Sequence, residues 1–405
     1  MKFDSYKISD LISEIAMGPF GSNIKVDCFV DHGIPVLNGS NLDGFELKED
    51  SFRFVTEEKA DSLKRSNAYR GDVVITHRGT LGQISYIPAT SQYDRYVISQ
   101  SQFRIRCNEK ILPEYLVYYF HTKVGQYQLL SNASQVGVPA LARPTSTFQQ
   151  LEIVIPEIEI QKKIVNILNA LQSKIKINQK INENLERQAQ AIFAERFTNY
   201  TENNLPNGWR IVSLGDVATI TNKSFNPVKE PETLLEHYSI PAFDEAKFPV
   251  FELSTNIKSN KFLVDADCFM ISKLNPTTKR VWKPYCISDK SVCSTEFIVY
   301  KAREQQDADF LYSLIDSEPF SDFMCSHVTG STGSRQRTTP SDTLQFKFVL
   351  PPKEEISAFA AIVQPMYKQI RMNAIENDKL KRLRDTLLPK LMSGEIDVST
   401  IIKER

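Results

Sequence analysis

The chain of 405 residues contains no apolar run of about 18 residues, the length that a membrane-crossing helix requires. Its opening, MKFDSYKISD, lacks the apolar core of a signal peptide. Six cysteines (Cys28, Cys107, Cys268, Cys286, Cys293, Cys325) are scattered without a CxxC pair, which suits a reducing cytosol and argues against a structural zinc. The five histidines (His32, His77, His121, His237, His327) are dispersed, and none stands at metal-ligand spacing from a cysteine. The expectation is a cytoplasmic protein with no metal and no membrane partner. Also missing are GxxxxGK[ST], GxSxG, HExxH and GxGxxG, as is any Asn/Asp-Pro-Pro-Tyr/Phe string. With no spacing of carboxylates that singles out a nuclease, the chain reads as a binding protein with no catalytic residues. Net charge is missing too, since 49 basic residues offset 49 acidic ones. A neutral sum weakens a nucleic-acid reading, but the local distribution matters more.

What is present is a repeat. The chain exceeds what one core usually supports, so two or more domains are expected. VIPEIEIQ (154–161) returns as VLPPKEEI (349–356), in both places after a strand-like run and before a long charged helix. YRGDVVITHRG (69–79) matches VDADCFMISKL (264–274), with Asp72 set against Asp267 and Arg78 against Lys273. PEYLVYYF (113–120) matches ADFLYSLI (308–315), and INENLERQ (181–188) matches IENDKLKRL (375–383) through Asn182 and Asn377. These matches share an offset of 195, so two copies fill the chain as an internal duplication. Each copy holds about 150 residues of short β-rich runs, turns and short helices, followed by a long helix. The expected division is a lobe over 1–155, a helical region over 156–198, a second lobe over 199–350 and a C-terminal helical region over 351–405. NYTENNLPNGW (199–209) supplies the turn chemistry between the halves. The fold class is α+β.

Heptad steps run through Ile164, Leu171, Asn178, Leu185 and Ile192, beside Leu168, Ile175, Asn182 and Ala189. The second copy gives Phe359, Met366, Asn373, Leu380 and Leu387. Each stripe alone exposes a long apolar face, so the two helices are expected to pair as an antiparallel coiled coil acting as a spacer. Pro365 is expected to kink or break the second helix near its start. Asn178 and Asn373 hold the same core-type position and are candidates for fixing helix register. Either a two-fold relation brings them together at the crossing, or both lie at a solvated edge of the seam.

Several windows carry no acid, although about one residue in eight is acidic. Residues 115–151 hold Lys123, Arg143 and four tyrosines, 73–93 hold His77 and Arg78, and 268–288 hold Lys273, Lys279, Arg280 and Lys283. The loop HVTGSTGSRQRTT (327–339) adds Arg335 and Arg337, and GPFGSNIK (18–25) offers Ser22 and Lys25 beside two glycines. Cations, hydroxyls and backbone N–H groups are what phosphate contacts require, and Arg suits base-edge readout. The plainer alternative is a solvated surface balanced by acids from elsewhere in the sequence.

The strings GPFGSNIK, RGDVVITHRGTLG, IPEIEIQKKIVNIL, LPPKEEISAFAAIV and LRDTLLPKLMSGEIDV occur in order. Through them the whole chain resembles the DNA-specificity subunit of Type I restriction–modification enzymes. The resemblance implies two target-recognition domains, a pair of conserved helices, and a split asymmetric site with half-sites about 10 bp apart. It implies double-stranded DNA, two methyltransferase subunits and motor-nuclease subunits as partners, with S-adenosylmethionine, ATP and Mg²⁺ belonging to those partners. DNA contacts are then expected from Ser22, Lys25, His77, Arg78, Thr80 and Arg143, and from Lys273, Lys279, Arg280, Arg335 and Arg337. ISKLNPTTKR replaces ITHRGTLGQI in the second lobe, so that loop does not transfer between lobes. Three other readings stay open: the specificity component of another modification–cleavage system, a coiled-coil scaffold that does not bind DNA, and an enzyme whose site carries none of the motifs above.

Overall fold

The run Asp72-Val73-Val74-Ile75-Thr76 is apolar on both faces, which suits a strand covered on both sides. In the computed structural model, which describes residues 2–21, 23–134, 137–330 and 336–400, it is such a strand, buried throughout. It lies inside an antiparallel sheet ordered Ile12–Met17, Gln102–Cys107, Asp72–Thr76, Ile84–Tyr86. The second copy builds the same sheet in the same order from Ala218–Thr221, Phe297–Ala302, Cys268–Ser272 and Val281–Trp282.

A second sheet accompanies each. Arg53–Val55, Ile34–Val36, Arg95–Val97 and Asn67–Tyr69 form it in the first copy, with one parallel pairing between Ile34–Val36 and Arg95–Val97. The counterpart in the second copy keeps that parallel pairing, between Leu234–Tyr238 and Ser291–Ser294, and gains the strand Ser224–Phe225 at its edge. Each copy is closed by a ribbon. Phe3–Lys7 pairs antiparallel with Glu152–Pro156, and Arg210–Ser213 with Lys347–Leu350. The strand that opens a lobe is thus zipped to the strand that leaves it, just before a helix of 40 residues begins at Ile158 or Lys353.

Contacts divide the chain into two units: Met1–Ser173 with Leu380–Arg405, and Lys174–Lys379. In the first unit, Ile160, Ile164 and Leu168 share one core with Leu388, Leu391 and Met392 and with the sheet residues Val73, Phe103 and Ile105. In the second, Phe193, Phe197, Phe310 and Phe359 form an aromatic nucleus with ring centroids 5.1–6.3 Å apart. Fully burying one such side chain contributes about 1.5–3 kcal/mol, so these stripes anchor the helices far more firmly than helix propensity does.

Two expectations are corrected here. The helix Lys353–Met392 continues through Pro365 without a break in its assignment. Pro365 and Ala361, whose carbonyl loses its partner, are both exposed, so that oxygen faces solvent while Phe359 and Val363 are held in the core. Asp267 does not stand where Asp72 does. Asp72 heads its strand opposite Arg106, and the residue in that place opposite Lys301 is Cys268. Asp267 lies one position outside the strand and is exposed.

Asp72 is fully buried, and it is satisfied by four donors. It accepts from the Tyr69 N–H at 3.0 Å, from Arg106 Nε and Nη2 at 2.8 and 3.1 Å, and from Arg104 Nη1 at 3.3 Å. Arg104 also donates to Glu14 at 2.6 Å, which holds the Glu14 carboxyl below its usual range. A buried carboxylate is tolerable only when paired and hydrogen-bonded in this way. The network fixes the sheet that carries the hairpin described next.

Candidate nucleic-acid interface

In the first lobe the strand Asp72–Thr76 runs directly into the hairpin His77-Arg78-Gly79-Thr80-Leu81-Gly82. The turn uses positive φ at Gly79 (92°) and Gly82 (88°), which L side chains rarely adopt. Arg78 and Thr80 are exposed at its tip. The hairpin is pinned to a short two-stranded arm, Ala133–Ser134 with Ala140–Leu141. Arg78 bridges Ala140, the Gly79 N–H donates to the Pro139 carbonyl at 2.9 Å, and the Leu141 N–H donates to the His77 carbonyl at 2.9 Å. Arg143 follows the arm with φ 46°, and its carbonyl caps the helix Pro144–Gln150 by accepting from Thr147 N–H at 2.9 Å. This arrangement brings His77, Arg78, Thr80 and Arg143 onto one loop cluster, with Arg78, Thr80 and Arg143 exposed.

His77 is half-buried, and its Nε2 lies 3.2 Å from the Gln100 carbonyl. Burial, the largest influence, holds its imidazole below the ordinary range. It therefore offers hydrogen bonding rather than charge at neutral pH. Lys25 is exposed on a separate loop, and its carbonyl accepts from Cys28 N–H. Ser22 and Arg335 lie outside the described residues.

The second lobe repeats the backbone and changes the side chains. Lys273 leads out of the strand Cys268–Ser272, Asn275 takes the positive φ (48°) of Gly79, and the arm is Val328–Thr329 with Arg337–Thr338. Here the cations are held. Arg337 donates from Nε and Nη2 to Glu296, each at 3.0 Å. Arg280 grips Asp244 in a fork at 2.5 and 2.8 Å, and Lys279 pairs with Asp316 at 2.8 Å. Lys273 alone of these has no acidic partner among the described residues. The carboxylates Glu296, Asp244 and Asp316 all fall outside the acid-free windows, so composition within those windows gave no sign of them. Glu296 had one signal: it directly precedes a strand that the offset of 195 sets against Gln102–Cys107.

On the long helices Asn178 and Asn373 are buried, but they do not meet each other. Asn178 Nδ2 donates to Asn377 Oδ1 at 2.9 Å, and Asn377 Nδ2 donates to the Ile175 carbonyl at 3.2 Å. Asn373 Nδ2 donates to Asn182 Oδ1 at 2.8 Å, and Asn182 Nδ2 donates to the Ile370 carbonyl at 3.2 Å. Neither open alternative forms: Asn178 and Asn373 do not meet, and they do not lie at a solvated edge but are buried in two reciprocal pairs. The antiparallel register sets 178 opposite 377, and the offset of 195 then carries that pair onto 373 and 182. Among the described residues no group of three or more His, Cys, Asp or Glu is placed to hold a metal ion, and no helix is long and apolar enough to cross a membrane.

Comparison with known proteins sets these loops in context. Residues 22–187 match the family described as Type I restriction modification DNA specificity domain. The Type I restriction enzyme MjaIX specificity subunit of Methanocaldococcus jannaschii is 25% identical over 441 residues, covering 98% of this chain and 94% of the relative. The HindI specificity subunit of Haemophilus influenzae is 24% identical over 397 residues, covering 78% and 84%. The crystal structure of the S subunit from M. genitalium shares the fold, with TM-score 0.58, 14% identity and 96% of each chain covered. Along nearly its whole length the chain is thus similar to specificity subunits of Type I restriction enzymes.

Proposed function

We propose that this chain is the sequence-reading subunit of its assembly, recognising a bipartite, asymmetric site on double-stranded DNA with one half-site per lobe. The observation that carries the reading is the duplicated hairpin and arm. The backbone hydrogen bonds recur between lobes while the side chains differ, as one scaffold adapted to two sequences requires. In this reading the chain performs no chemistry. Two methyltransferase subunits dock on it, and motor-nuclease subunits complete the complex. S-adenosylmethionine, ATP and Mg²⁺ serve those partners in the cytoplasm. Ser22, Lys25, His77, Arg78, Thr80, Arg143, Lys273, Lys279, Arg280, Arg335 and Arg337 remain the proposed contact set, and Asn178 and Asn373, with their partners, the proposed register set.

The test is a genome-wide map of methylated adenines in a host without other adenine methylation, expressing the neighbouring methyltransferase gene with or without this chain. A split motif that appears only on co-expression supports the reading. The same motif without this chain, or no motif although the methyltransferase copurifies with it, overturns it.

A further inference from the structure

The two lobes can be matched through their hydrogen bonds, independently of the sequence alignment. The His77 N–H donates to the Ser101 carbonyl at 2.9 Å, and its own carbonyl accepts from Leu141. The Lys273 N–H donates to the Glu296 carbonyl at 2.9 Å, and its carbonyl accepts from Thr338 at 3.1 Å. One residue further along, Arg78 bridges Ala140 and Leu274 bridges Arg337. Beyond that, Gly79 donates to Pro139 and Asn275 to Gln336, both at 2.9 Å. His77 therefore corresponds to Lys273, Arg78 to Leu274, Ser101 to Glu296, and Ala140 to Arg337. The sequence alignment, which set Arg78 against Lys273, is off by one residue here.

This correspondence exposes an exchange. Each lobe places one guanidinium on the same backbone bridge, opposite an apolar residue. In the first lobe it comes from the hairpin, opposite Ala140, and in the second from the arm, opposite Leu274. We propose that Arg78 and Arg337 are base-reading arginines carried by the equivalent bridge of each lobe but supplied from its opposite sides, and that Glu296 is the positioning residue that aims Arg337. Arginine is the commonest reader of guanine through its N7 and O6 edge. Partners across an antiparallel bridge stand about 4.5–5.5 Å apart. That exceeds the ~3.4 Å step along one DNA strand. Moving the arginine from hairpin to arm thus addresses a different base position from an unchanged backbone.

The two arginines are also prepared differently. Glu296 takes Nε and Nη2 of Arg337 in a side-on fork, both at 3.0 Å, while its backbone carbonyl holds Lys273. A fork of this kind fixes the plane of the guanidinium before DNA arrives. Ser101, in the corresponding place, provides no such grip, and Arg78 has no acidic partner among the described residues.

The inference rests on the specificity reading above, and its test is chosen to separate the two. The methylated motif is mapped for the wild-type chain with its methyltransferase, then for Arg78→Ala, Arg337→Ala and Glu296→Gln, with thermal unfolding as the folding control. Arg78→Ala is expected to relax one position in one half of the motif, and Arg337→Ala one position in the other half. Each lowers discrimination at that base pair roughly tenfold to a hundredfold. Glu296→Gln relaxes the same position as Arg337→Ala and leaves the first half intact, which a merely structural role would not do. Unchanged motifs, uniform loss at all bases, or both arginines acting on one half would overturn the inference alone. A wild-type chain that directs no split motif would sink the specificity reading itself.

Discussion

Arg280 and Lys279 lie in a stretch without a single acid, yet Asp244 and Asp316 hold them. The charge a ligand meets is the side chain together with its neighbours in space, and those neighbours come from 36 or 37 residues away in sequence. The Arg280 and Asp316 side chains are only 12% and 20% exposed, so these pairs are part-buried, and a phosphate must compete with the carboxylate already in place. Histidines add a second residue-level effect. His121 Nε2 donates to the Ile84 carbonyl at 2.9 Å, its ring packs 4.5 Å from Phe45, and burial, the main influence, depresses its pKa. The folded state therefore prefers the neutral ring. Its contribution to stability is full above about 6.5, the ordinary value, and is lost as pH falls from there towards the lower folded value. We expect the melting temperature to fall between pH 7 and pH 5, and to fall less in His121→Gln, whose amide keeps a donor for Ile84 without titrating. Equal slopes for the two proteins in scanning calorimetry would contradict this.

At the scale of elements, the helix pair carries four asparagines where a uniform Leu seam would be more stable. Each pair consists of one amide donating to the other and the acceptor then donating to a carbonyl of the opposite helix. Such groups are costly when unpaired and weakly stabilising when paired, so their value is in register: a shift by one residue or one turn leaves three buried amides and the half-buried Asn182 without partners. Asn178→Leu is expected to destabilise the second unit by about 1–3 kcal/mol, because Asn377 loses its donor while staying buried. Asn178→Leu with Asn377→Leu should recover most of that loss, giving a coupling energy of about 0.5–3 kcal/mol in a urea-denaturation double-mutant cycle. Additive losses would show that the asparagines act separately and fix nothing. Pro365 belongs to the same scale. A break was expected because local propensity disfavours proline by about 3 kcal/mol, but the burial of Phe359, Val363 and Ile370 along one continuous face exceeds that cost.

At the scale of the whole molecule, the duplication was the most legible feature. An offset of 195 placed both strand-to-helix junctions, both long helices and the matching short helices. It failed where a single residue of slip changes meaning. Asp72 aligns with Asp267 by identity, but the ladder sets it against Cys268, and in a strand one residue reverses the face. The contact candidates were legible as residue types and not as charges, since pairing with Glu296, Asp244 and Asp316 depends on contacts that only the folded chain makes. That distinction has a consequence for a molecule of zero net charge. Its salt-dependent attraction to DNA must come from cations whose charge is not already answered. Lys25 and Arg143 are exposed and have no acidic partner among the described residues, whereas Lys279 is bound to Asp316. If Lys25 and Arg143 each meet one phosphate, replacing either by Ala in the assembled complex should lower the slope of log K against log salt by about 0.9. Lys279→Ala should leave the slope nearly unchanged, because the phosphate it could attract is in competition with Asp316. Fluorescence anisotropy over a salt series measures all three slopes. Equal decrements at Lys279 and Arg143 would show that the Asp316 pair opens on binding, and that the second lobe contributes to attraction as fully as the first.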